Sequence, residues 1–76
     1  MSHYGPCREL VVEICRTLLA RGYLKATEGN ISVRVPGEDS YAVTPSNYDY
    51  EKMEPGDICV LGLDGRHILG QKRASI

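Results

Sequence analysis

The sequence contains neither Trp nor Phe, only two His, and three Cys with no CxxC pair. An odd cysteine count without that spacing excludes a disulfide framework and a zinc knuckle. Cys7, Cys15 and Cys59 therefore read as small, buried apolar residues. Two distant histidines, His3 and His67, cannot supply the three protein ligands that a catalytic zinc wants. His67 reads as a solvated strand residue and His3 as part of a frayed terminus. No apolar run approaches the ~20 residues of a membrane-spanning helix, and no signal-peptide pattern opens the chain, which predicts a cytoplasmic protein with no membrane partner. An excess of one charge is missing too. Nine Lys and Arg against ten Asp and Glu leave a net charge of −1, which argues against a nucleic-acid partner held by bulk charge. Neither GxGxxG, a Walker loop nor GxSxG occurs, and no Ser, His and Asp trio has supporting context.

What is present is a chain of 76 residues, 42% hydrophobic and 25% charged. That suffices for one small domain burying roughly 60–65% of the surface its unfolded form exposes. From Pro6 to Arg21 the apolar residues Cys7, Leu10, Val11, Ile14, Cys15, Leu18 and Leu19 recur at three- and four-residue spacing, with Arg8, Glu9, Glu13, Arg16 and Thr17 on the other side. The spacing predicts an amphipathic helix with one buried stripe, opened by Pro6 and closed by Gly22.

After the helix the period shortens to two. Ile31, Val33 and Val35 alternate with Ser32 and Arg34, Pro36-Gly37-Glu38-Asp39 turns the chain, and Tyr41 and Val43 alternate with Ala42 and Thr44. Ser46 or Asn47 is placed to cap a short helical turn over Tyr48 to Met53, which Pro55-Gly56-Asp57 would break. Ile58 to Leu63 is a continuous apolar run, expected to be covered on both faces. Asp64-Gly65 then marks a hairpin returning into Arg66 to Leu69. The predicted architecture is α+β, one helix packed on an antiparallel meander of strands near 31 to 35, 41 to 44, 58 to 63 and 66 to 69. One helix covers only one face of such a sheet, and the chain stops at Ile76 without a turn or cap. The expectation is that residues 1 to 76 are the N-terminal portion of a longer polypeptide, or a module whose second layer comes from a partner.

Three polar turns stand at strand ends: Thr27-Glu28-Gly29-Asn30, Thr44-Pro45-Ser46-Asn47 and Ala74-Ser75-Ile76. Glycine permits close backbone approach, N–H groups at turns form anion-binding nests, and Asn and Ser add neutral donors that do not repel a phosphate or carboxylate. Converging, they would make an anion cradle. By spacing alone the better reading is that they are simply turns, since Gly, Asn, Ser and Pro are the commonest turn residues.

Arg21-Gly22-Tyr23, then Gly29-Asn30-Ile31-Ser32-Val33-Arg34, Thr44-Pro45-Ser46, and Asp57 to Leu63 with Asp64-Gly65 together resemble the N-terminal part of the class II aldolase and adducin family, which includes fuculose-phosphate aldolase and ribulose-phosphate 4-epimerase. The resemblance runs from about Leu10 to Ser75 with the motifs in order. It implies part of an α/β/α fold, here a single domain cut before its metal-binding half. It also implies a substrate anion held at Gly29, Asn30, Ser46, Asn47 and Ser75, on a small phosphorylated or carboxylated substrate. Asn47 stands where Gly is common, and Ile76 replaces the second Ser of a Ser-Ser pair. The family's acid/base glutamate would follow Ile76 and its metal-binding histidines lie further on. The resemblance thus implies a divalent metal, zinc, and a tetrameric assembly for the intact protein. It implies no catalytic residue, no bound metal and no activity for the 76 residues alone. A lyase or related epimerase or dehydratase is one reading of the intact protein; a non-catalytic adducin-like interaction module is the other.

Overall fold

The computed structural model describes residues 4–23, 30–46, 48–70, 72 and 74. Helix α1 spans Gly5–Ala20, within one residue of the predicted limits at both ends, and Pro6 sits in its first turn, where a missing N–H breaks no helical bond. At the other end Gly22 takes φ 77°, and its N–H donates to the Leu19 carbonyl while the Tyr23 N–H donates to that of Leu18, at 3.1 and 2.9 Å. This is the paired closure of a Schellman cap, in a left-handed conformation that a Cβ would disfavour.

The buried side of α1 is Cys7, Val11, Val12 and Cys15. The expected stripe is thereby corrected: Leu10 is 42% exposed and Val12 takes its place. The helix is rolled so that Arg8 and Arg16 both reach backbone carbonyls of the neighbouring loop, while the Arg16 side chain stays 55% exposed. Arg8 Nε donates to the Ile58 carbonyl at 3.0 Å and its Nη2 to that of Gly56 at 2.8 Å. Arg16 Nη2 donates to the Met53 carbonyl at 3.0 Å. Both guanidinium groups clasp the loop that leads into the third strand.

The sheet is a four-stranded antiparallel meander in the order β1 (Ser32–Arg34), β2 (Ser40–Val43), β3 (Cys59–Gly62), β4 (His67–Leu69). Registers are Ser32↔Val43 and Arg34↔Tyr41 between β1 and β2, and Tyr41↔Leu61 and Val43↔Cys59 between β2 and β3. In the β1–β2 turn Arg34 donates to Asp39 at 3.0 Å and to the Glu38 carbonyl at 3.3 Å. The Asp64-Gly65 hairpin is present, with the Asp64 carboxylate accepting from the Arg66 N–H at 3.0 Å, and a bulge shifts the register between Val60 and Leu61.

Two apolar clusters flank the sheet. Ala42, Ile58 and Val60 meet the helix residues Val11, Val12 and Cys15, together with Val35, Tyr50 and Met53. On the opposite side Val43, Cys59 and Leu61 pack with Tyr41 and Ala74. Both faces of β3 are therefore buried, but the expected apolar run to Leu63 is corrected at its end, where Leu63 lies past the strand and is 55% exposed; the expectation that the second face needs cover from elsewhere is corrected for Val43, Cys59 and Leu61, which are 0–2% exposed in this chain. A further correction concerns Tyr48 to Met53, which form no helix. The Asp49 carboxylate and carbonyl accept from the Glu51 and Lys52 N–H groups, limiting the segment to one turn from which Tyr50 and Met53 both reach the core. The 3-10 turn lies instead at Pro55–Asp57, closed by reciprocal bonds between Glu54 and Asp57. No helix among the described residues is long and apolar enough to cross a membrane.

Candidate functional site

The β1–β2 ladder does not stop cleanly at Ser32↔Val43. One step further, the Thr44 N–H donates to the Ile31 carbonyl at 3.0 Å, but the return bond is not made by the backbone. The Ile31 N–H donates to the side-chain oxygen Oγ1 of Thr44 at 3.3 Å, and the Tyr50 hydroxyl donates to the same oxygen at 3.3 Å. Thr44 and Tyr50 are 0% and 1% exposed. The strands separate here, with exposed Asn30 on one side and Pro45 and the half-buried Ser46 on the other. On its far side Pro45 forms an isolated antiparallel bridge with Ala74.

The backbones beside all three predicted turns are thus brought to one end of the sheet: Ile31 against Thr44, and Pro45 against Ala74. Of the predicted site residues, Asn30 and Ser46 are described here, whereas Gly29, Asn47 and Ser75 lie outside the described residues, as do His3 and Ile76. The approach to Ala74 is secured at Lys72, whose carbonyl accepts from the Cys59 thiol at 3.1 Å. Lys72 Nζ lies 3.7 Å from Asp57 Oδ1 and 4.7 Å from the centre of the Tyr48 ring. Burial raises the Tyr48 hydroxyl pKa, reinforced by its bond to the Asp57 carboxylate and by the charges of Asp57, Asp49 and Glu54. Burial likewise raises that of the Cys59 thiol, against the opposing pull of Arg8 and Lys72.

The guanidinium groups of Arg8, Arg16 and Arg34 are engaged with loop carbonyls and Asp39. Among the described residues no three His, Cys, Asp or Glu side chains group closely enough to hold a metal ion. The exposed His67, first residue of β4, has its Nε2 2.6 Å from the Gly70 carbonyl. Sequence reasoning named Thr44 only as part of a turn and missed Tyr50, Arg8, Arg16 and Lys72. The pair Arg8 and Arg16, eight residues apart along one side of a helix, was the one available signal, because two long cations at that spacing can grip a single segment.

A helix laid on a four-stranded antiparallel meander defines an α+β domain. The chain belongs to the family described as Class II Aldolase and Adducin N-terminal domain, which matches residues 9–76. It is 34% identical over 68 residues to the 5-deoxy-D-ribulose 1-phosphate aldolase of Bacillus thuringiensis serovar kurstaki, a match covering 90% of this chain and 32% of that protein. To the methylthioribulose-1-phosphate dehydratase of Marinobacter nauticus it is 32% identical over 75 residues, covering 99% and 36%. Its fold superposes on that of an L-fuculose 1-phosphate aldolase with a TM-score of 0.89 at 26% identity, covering 99% of this chain and 36% of the other. The chain spans about a third of the length of these relatives.

Proposed function

We propose that residues 1 to 76 are the anion-anchoring N-terminal part of a class II aldolase-type enzyme that cleaves, dehydrates or epimerises a small sugar phosphate. The observation that supports this reading is the meeting of Ile31 with Thr44 and of Pro45 with Ala74, residues that adjoin or belong to the three turns. The relatives support it from another direction. Their names differ in reaction, as aldolase, dehydratase and decarboxylase, and agree on a phosphorylated compound. A segment shared across different reactions is suited to holding what their substrates have in common.

In this reading the Asn30 amide, the Ser46 and Ser75 hydroxyls and the N–H groups at Gly29 and Asn47 surround the phosphate oxygens with neutral donors. They bind and orient the phosphate end and move no proton. Acid/base residues and the divalent metal are then contributed from outside this chain, and the 76-residue polypeptide alone turns over no ketose phosphate. Each hydrogen bond to an anion contributes about 1.5–3 kcal/mol at best, so losing one weakens binding without abolishing it. Asn30→Ala and Ser75→Ala should each weaken inorganic phosphate binding by about tenfold in calorimetry, equivalent to about 1.4 kcal/mol. Unchanged affinity in both folded variants sinks the cradle. An intact mass of 8.4 kDa for the protein from its natural source would sink the idea of a longer enzyme.

A further inference from the structure

Among the groups outside the proposed donor set, the buried hydroxyl pair Thr44 and Tyr50 stands out, because it sits where backbone pairing fails next to both described turns. We infer that Thr44 and Tyr50 are positioning residues that hold the Asn30 and Ser46 turns apart at the distance an anion needs; the inference rests on the cradle reading above. An antiparallel pair at Ile31 and Thr44 would ordinarily exchange two backbone bonds, drawing the strands together and carrying the ladder on toward Asn30. Here only one is backbone to backbone. The other donor, Ile31 N–H, is taken by Thr44 Oγ1.

The substitution has a geometric result. A side-chain oxygen replaces the Thr44 carbonyl as the acceptor for Ile31, so the backbone is released from the ladder at the residue before Pro45. Proline has no N–H to continue pairing, and the chain turns away to meet Ala74. A threonine rotor alone would be a soft support. The Tyr50 hydroxyl, itself buried and delivered by the turn after Ser46, donates to the same oxygen and fixes its orientation. Oγ1 thus accepts from two elements that enter the cluster separately, one leading from Asn30 and one following Ser46. Neither side chain needs to touch the anion.

Calorimetric titration of the protein at its natural length with inorganic phosphate tests this. Thr44→Val keeps the shape and removes the acceptor, and should weaken phosphate binding about tenfold. Thr44→Ser restores the oxygen and should bind within twofold of wild type. Tyr50→Phe should cost about threefold. Cys15→Ala, a cavity on the buried side of α1, serves as the stability control and should lower the melting temperature without moving phosphate affinity. Wild-type affinity in folded Thr44→Val, while Asn30→Ala binds weakly, overturns the positioning role and leaves the cradle standing. If Thr44→Val does not fold, wild-type affinity in Tyr50→Phe overturns it. If Cys15→Ala loses affinity as much as Thr44→Val, binding merely follows stability and the inference is again overturned. If Asn30→Ala too binds as wild type, the cradle itself is wrong and the inference falls with it.

Discussion

Cys15 meets no solvent, and its burial pushes the thiol from 9.0 up to about 11. The unfolded chain releases this proton near the ordinary value while the folded chain still holds it. Unfolding is therefore favoured progressively as pH rises from 9 to 11, and the contribution of this residue is complete below pH 9. Urea midpoints between pH 8 and 10.5 should fall more steeply for wild type than for Cys15→Ala. Tyr4 and Tyr48, both raised, add the same sign to each protein. Arg8 is a different kind of residue-level support, since its two bonds reach the carbonyls of Ile58 and Gly56, just before β3 begins. Arg8→Ala should cost about 1–3 kcal/mol in urea unfolding, the range for charge-assisted bonds of this kind, and Arg8→Lys should recover little because one ammonium cannot reproduce the fork.

Element boundaries were legible wherever the hydrophobic period was long or a breaker stood at the end. Pro6 and Gly22 bracket α1, and the two-residue alternation from Ile31 and the Asp64-Gly65 turn place β1 and the last hairpin. The roll of α1 was not legible, because Leu10 and Val12 are equally apolar and the choice between them is made by loop carbonyls some fifty residues away. The Tyr48 to Met53 segment misled for a related reason: Ser46 and Asn47 resemble helix caps, yet Asp49 satisfies the local N–H groups first. The two-sided burial of β2 was equally hidden, since Ala42 and Val43 both read as apolar and only the helix on one side and Cys59 and Leu61 on the other give each a place. Where β4 ends, Gly70 has φ 109°, and a Cβ there would stand 3.1 Å from the Cys59 Cα. Gly70→Ala should therefore destabilise by roughly 1–3 kcal/mol, strain and crowding acting together, as chemical denaturation would show.

At the scale of the whole molecule, a chain of 76 residues with two small apolar clusters should unfold with an enthalpy of about 50 kcal/mol near 60 °C, measurable by scanning calorimetry. A transition with far less heat would mean that these residues do not complete their own packing. The cradle was legible as three turns, because turn chemistry is local. Its supports were not, because Thr44, Tyr50 and Lys72 act through contacts that only the folded sheet creates. The arginine clasp on α1 has a consequence in time. Its bonds join positions 48 and 50 residues apart, whereas each strand of the meander pairs with the next along the chain. Closing so long a loop costs entropy before any contact repays it, so hairpins should form early and the clasp late. Interactions absent from the rate-limiting barrier slow escape from the native state without hastening arrival. In stopped-flow traces Arg8→Ala should therefore unfold faster than wild type and refold at nearly the same rate, which makes the helix the latch of the domain.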